Sequence, residues 1–98
     1  MEFWIDTDRS ELGCDIVHDI EILTGIEHPS INSIEAMPFI FKQLKTRSWE
    51  WHIECHDNSY VMTIHPGING VRCFAQDIDL TRTIYLAYYD AIVYDLNK

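Results

Sequence analysis

From Trp49 onward the chain alternates apolar and polar residues with a period of two. Trp49, Trp51, Ile53 and Cys55 fall on one side, and Glu50, His52, Glu54 and His56 on the other. That pattern marks a half-buried strand. Asp57-Asn58 is a turn signal, after which Tyr60, Met62 and Ile64 continue the apolar face. A two-residue turn there pairs Cys55 with Tyr60, Ile53 with Met62 and Trp51 with Ile64, matching apolar with apolar at each step. Asn69-Gly70 is the strongest short hairpin signal in the chain. It predicts Ile68 opposite Val71 and Ile64 opposite Ala75, so that Val71, Cys73 and Ala75 share the inner face. The third strand is expected to end near Gln76.

Helical spacing flanks these strands. Leu12, Ile16, Ile20 and Leu23 form one apolar stripe. Asp8 and Glu11 make a capping-box pair ahead of it, and Gly25 is a C-terminal stop. Gly13 weakens the helix by roughly 1 kcal/mol relative to alanine. His28-Pro29-Ser30 then breaks the chain. A second helix is expected over 32–46, opening at Asn32 or Ser33, with Ile34, Met37, Phe41 and Leu44 on its apolar side and Ile40 beside them. Pro38 either bends this helix or begins its regular part. A closing helix over 80–96 follows Asp77 or Asp79 and carries Leu80, Ile84, Ala87, Tyr88, Ala91 and Ile92 at amphipathic spacing. The chain therefore predicts a single α+β domain over 1–98, in the order α-α-β-β-β-α. Its three-stranded antiparallel meander, at 48–76, has helices packed on the apolar face. The opposite face mixes charges and histidines with Val61 and Phe74, so partial cover is expected there.

Charge adds a second layer of organisation. Sixteen acids against seven bases leave a formal charge of −9, which repels nucleic acid and membrane surfaces and attracts basic partners. Nine of those acids, against the single base Arg9, lie in residues 1–35. No apolar run approaches the roughly 18 to 20 residues that span a bilayer. The opening residues lack the basic and apolar regions of a secretory leader. Cys14, Cys55 and Cys73 are odd in number and widely spaced, which argues against a disulfide scaffold and makes a reducing cytoplasm the expected setting.

Three segments resemble the phage ABA-sandwich domain, a family of short proteins from bacteriophage genomes. Ser30-Ile-Asn-Ser-Ile-Glu-Ala-Met, ending in Lys42-Gln-Leu-Lys, is similar to the family's helix. Trp49-Glu-Trp-His-Ile-Glu-Cys with Ser59-Tyr-Val-Met is similar to its aromatic hairpin. Asp79-Leu-Thr-Arg-Thr-Ile-Tyr-Leu-Ala-Tyr is similar to its closing helix. The resemblance runs from about Ser30 to Val93. Pro38 and Thr83-Ile84-Tyr85 depart from the pattern, the latter standing where the family has an Ala-Ile-Cys type of motif. What the resemblance implies is a fold and a phage or prophage origin; it carries no catalytic residues.

Cys14 and His18, or His52, His56 and His65, are ligand types that zinc accepts. The strand pattern places Cys55 and Cys73 opposite the histidines, however, so neither metal nor cofactor is expected. Glu50, His52, Glu54 and His65 are the one convergent titratable set. The chain has no glycine-rich phosphate loop and no nucleophile elbow, so it does not read as an enzyme. Glu11, Asp15 and Asp19 are spaced four apart along the first helix, with Asp8 extending the row. Each step rises about 6 Å, close to the separation of successive phosphates, so the row could imitate a nucleic-acid backbone; the plainer alternative is a solvated face. Direct nucleic-acid binding is disfavoured, because the seven bases form no stripe. Tyr85 and Tyr89, four apart and off the main apolar face, are expected to be exposed anchors for a protein partner or a homodimer.

The expected function is that of a small phage-encoded binding protein without catalysis, acting in the host cytoplasm on a host protein with a basic surface. Inhibition of a defence component, as by an anti-CRISPR, is its specific form. Asp8, Glu11, Asp15, Asp19, Tyr85 and Tyr89 are the expected partner-binding residues. The alternatives are an accessory or structural phage protein that self-associates, and a small-ligand or enzymatic domain using the His/Glu sheet face.

Overall fold

The computed structural model describes residues 2–5, 16–67 and 70–97. The elements are β1 (Glu2–Ile5), α1 (Ile16–Thr24), α2 (Ala36–Thr46), β2 (Glu50–His56), β3 (Ser59–His65), β4 (Arg72–Asp77) and α3 (Leu80–Asn97). From α1 onward this is the α-α-β-β-β-α order of an α+β fold, with β2, β3 and β4 as an antiparallel meander. One strand was not anticipated. β1 pairs in parallel with β4, giving a sheet of order β1-β4-β3-β2.

The first hairpin has the expected register, with Cys55 opposite Tyr60, Ile53 opposite Met62 and Trp51 opposite Ile64. The second is shifted by two residues: Ile64 lies opposite Cys73, and Met62 opposite Ala75. Pro66 has no N–H to offer the ladder, so pairing stops there and the connection runs over 66–71 instead of through a two-residue turn. Ile68 and Asn69 of the expected turn lie outside the described residues. A shift of two preserves the faces, and Cys73 and Ala75 remain fully buried.

α1 ends as expected at Gly25, whose φ of +74° suits glycine and whose N–H closes on the Glu21 carbonyl at 2.8 Å. Ile16 and Ile20 are buried. The start expected near Asp8, its Glu11 partner and Leu12 lie outside the described residues. α2 starts at Ala36, later than Asn32 or Ser33, because the serines close turns ahead of the helix. Ser33 N–H donates to the Ser30 carbonyl at 2.9 Å, and Ala36 N–H to the Ser33 carbonyl at 3.1 Å. Pro38 consequently sits in the first turn, where no N–H is needed. Ile34, expected on the apolar stripe, is 95% exposed; the buried face is Ala36, Ile40 and Leu44.

At the other end of α2, Trp49 N–H reaches the Leu44 carbonyl and Ser48 N–H the Lys45 carbonyl, each at 3.0 Å. This is a Schellman closure with Ser48, at φ 59°, in the left-handed position that glycine usually fills. Asp79 caps α3 by accepting the Arg82 N–H at 3.1 Å.

α3 is the middle of the molecule. It lies on β3 and β4 and is flanked by α1 and α2, so that every residue from Thr83 to Tyr88 is buried. An enclosed helix of this kind has no polar side to expose. Tyr85, expected to be exposed, is therefore fully buried. Cover is thinner over β2, an edge strand. Phe41 of α2 stacks on Trp51 at 5.4 Å, but Cys55, expected on the inner face, is exposed at the far end.

Candidate functional site: the α1 face and its groove

Residues 16–35 contain Asp19, Glu21, Glu27 and Glu35 and no lysine or arginine. They form α1 and the connector to α2. After the Gly25 turn, the His28 N–H donates to Glu21 Oε2 at 2.8 Å and folds the connector back onto α1. The His28 ring is buried, 8% exposed. Its Nδ1 lies 3.0 Å from the Ile26 carbonyl and its Nε2 3.2 Å from the Tyr88 hydroxyl. A carbonyl only accepts, so Nδ1 carries the proton and Nε2 accepts from Tyr88. Phe39 meets the ring edge-on at 4.9 Å.

Burial lowers the His28 pKa below its ordinary value of 6.5; Arg47 adds to the effect, while the Ile26 carbonyl and Glu21 oppose it. Burial also raises Tyr88, against the charge and hydrogen bond of Arg47. The neighbouring Tyr85 hydroxyl donates to the Pro29 carbonyl at 2.7 Å, and burial, with smaller contributions from Tyr88 and Glu21, pushes its pKa up to about 12. Two buried tyrosines of α3 thus hold the connector at successive points.

In front of this connector lies a groove of about 520 Å³, lined by Val17, His18, Glu21, His28, Ser30, Ile31 and Asn32. On the opposite side of α1, Asp19, Ile22, Leu23 and Tyr89 line a smaller hollow of about 240 Å³. Of the expected partner-binding residues, Asp19 and Tyr89 are brought together in that hollow, both half-buried. Tyr85 is removed to the core, and Asp8, Glu11 and Asp15 lie outside the described residues. Glu21, His28 and Tyr88 carry the local architecture, and the sequence alone does not mark them as a site. His28-Pro29 reads in sequence only as a chain break, and nothing local announces a partner sixty residues away.

The sheet face that carries Glu54 is the other titratable region, exposed along β2 but buried at Thr63 of β3. Glu54 stands between His56, at 2.9 Å, and His52, at 4.0 Å. The hydrogen bond from His56 holds its carboxyl below the usual range, and the charges of both histidines add to this. The His52 and His65 rings lie 6.0 Å apart. Among the described residues, no three His, Cys, Asp or Glu side chains are grouped so as to hold a metal ion. Burial, with Asp90 nearby, pushes the Cys73 thiol up to about 12, which makes it a poor nucleophile. No helix among the described residues is long and apolar enough to cross a membrane.

Compared with models of known families, with curated proteins and with solved structures, the chain has no match.

Proposed function

We propose that this chain is a non-catalytic binding protein that engages a basic surface of a protein partner through α1 and the connector to α2. The observation that carries the reading is segregation of charge. Nine of sixteen acids fall in residues 1–35 against one base, whereas Lys42, Lys45 and Arg47 gather at the C-terminal end of α2. An imbalance of this kind steers a basic partner towards the acidic segment and supports fast, salt-sensitive association.

The narrower form of the reading comes from the phage-domain resemblance. In that form the partner is a host defence protein with a nucleic-acid groove, met in the host cytoplasm, and the acidic row Asp8, Glu11, Asp15 and Asp19 stands in for phosphates. The test is capture of a partner from host lysate, identification by mass spectrometry, and titration against the wild type and a Glu11→Gln, Asp15→Asn, Asp19→Asn variant. Affinity should fall strongly in the variant and with added salt. A triple variant that binds as tightly as the wild type at both low and high salt would end the reading.

A further inference from the structure

We propose that the groove between α1 and the connector is a receptor for one arginine side chain of a protein partner. The inference rests on the binding reading above and adds the chemistry by which one face recognises its target. Its floor is preorganised. Glu21 is pinned by the His28 N–H through Oε2, which leaves its second carboxylate oxygen without a protein partner among the described residues. His28 itself contributes no charge to offset Glu21, since its buried ring is held as the neutral tautomer between the Ile26 carbonyl and the Tyr88 hydroxyl.

The walls suit the rest of the side chain. Val17 and Ile31 supply apolar surface for a methylene stem, while Ser30 and Asn32 add neutral oxygen acceptors beside the carboxylate. At about 520 Å³ the space is of the size that ligand sites occupy. Several acceptors spread around one carboxylate match a planar fork of five N–H donors better than a compact ammonium. No lysine or arginine of the segment competes for the place, since residues 16–35 hold neither; His18 is the one other titratable side chain of the lining besides Glu21 and His28. Arg47 is not among the lining residues and is held behind the connector, by the Tyr88 hydroxyl, over the Trp49 ring and near Asp95.

The experiment is an amide-resonance titration of the full chain with blocked arginine (N-acetyl-arginine methylamide), with blocked lysine and blocked citrulline run alongside. Arginine should shift the amides of His28, Ser30, Ile31 and Asn32 in a saturable way. Lysine should bind several-fold more weakly, and citrulline, which lacks the charge, should leave those amides unmoved. Glu21→Gln keeps an oxygen for the His28 N–H, so the connector stays docked while arginine affinity drops about tenfold or more. Shifts spread evenly over Asp19, Glu27 and Glu35, or an affinity unchanged in Glu21→Gln, would overturn the inference. If the groove fails in this way while a captured partner still binds with salt dependence through the acidic row, the arginine site falls and the binding function stands.

Discussion

Replacing Tyr88 with phenylalanine removes a single oxygen from the centre of the connector's anchorage. The ring stays in a fully buried site, so packing is almost untouched. What is lost is the donor to His28 Nε2, 3.2 Å away, in a ring only 8% exposed, together with the acceptor for the Arg47 guanidinium. A net hydrogen bond contributes about 1 kcal/mol, and a buried acceptor left unsatisfied costs about 1–3 kcal/mol. The expected destabilisation is about 2 kcal/mol at pH 8, equivalent to roughly 8–16 °C in melting temperature for a domain of this size.

The pH dependence gives the variant a signature that simple packing loss lacks. In the wild type the folded-state pKa of His28 lies below 6.5, so between the two values the unfolded chain binds more protons. Stability is therefore full above pH 6.5 and declines as the pH falls towards the folded-state value. Tyr88→Phe takes away a hydrogen bond made to the neutral imidazole, raises the folded-state pKa and flattens that decline. The gap between the two proteins should narrow on acidification. Urea unfolding followed by fluorescence at pH 8, 7, 6 and 5 measures it. A difference under about 0.5 kcal/mol at pH 8, well short of a lost buried hydrogen bond, or a gap that widens below pH 6, would refute the tautomer and the bonding assigned to His28.

Two further outcomes follow from the same geometry. Tyr85→Phe deletes the donor to the Pro29 carbonyl, but Pro29 is only half-buried and water can take the vacated place. The cost should be about 1 kcal/mol in denaturant unfolding, smaller than for Tyr88→Phe. Ser48→Gly relieves a serine held at φ 59° in the closure of α2 and should stabilise the protein by about 0.5–1 kcal/mol, read as a rise in melting temperature.

The strands were the most legible part of the chain, for a definite reason. Trp49 to Cys55 alternate strictly and Tyr60 to Ile64 break the alternation only at Val61, and a one-residue slip would turn Trp51, Ile53, Met62 and Ile64 to the wrong face, so the register of β2 with β3 had one good solution. The second hairpin misled because Asn69-Gly70 is a strong local signal, while the veto came from Pro66, three residues upstream. β1 escaped notice because four residues, Glu2–Ile5, are too few to establish a period. α3 shows a different limit. Amphipathic reasoning presumes one covered side, and the spacing of Leu80, Ile84, Ala87 and Ile92 satisfied it. Nothing in that spacing tells that α1 and α2 close over the remainder and take Tyr85 with it. The groove was least legible, since Glu21, His28 and Tyr88 become neighbours only once the connector is folded back.

The parallel pairing of β1 with β4 also sets an order of events. β1 comes from the beginning of this chain, yet the strand it joins leaves the ribosome only after both flanking helices and the whole first hairpin have been made. Throughout synthesis its backbone donors and acceptors must be met by water, while β2 and β3, separated by a tight turn, can pair as soon as they emerge. Completion of the sheet edge is thus a late, long-range step, the kind that is slow on entropic grounds. Until it occurs, β4 remains an open edge, and the nascent chain is most vulnerable to wrong pairing along that strand.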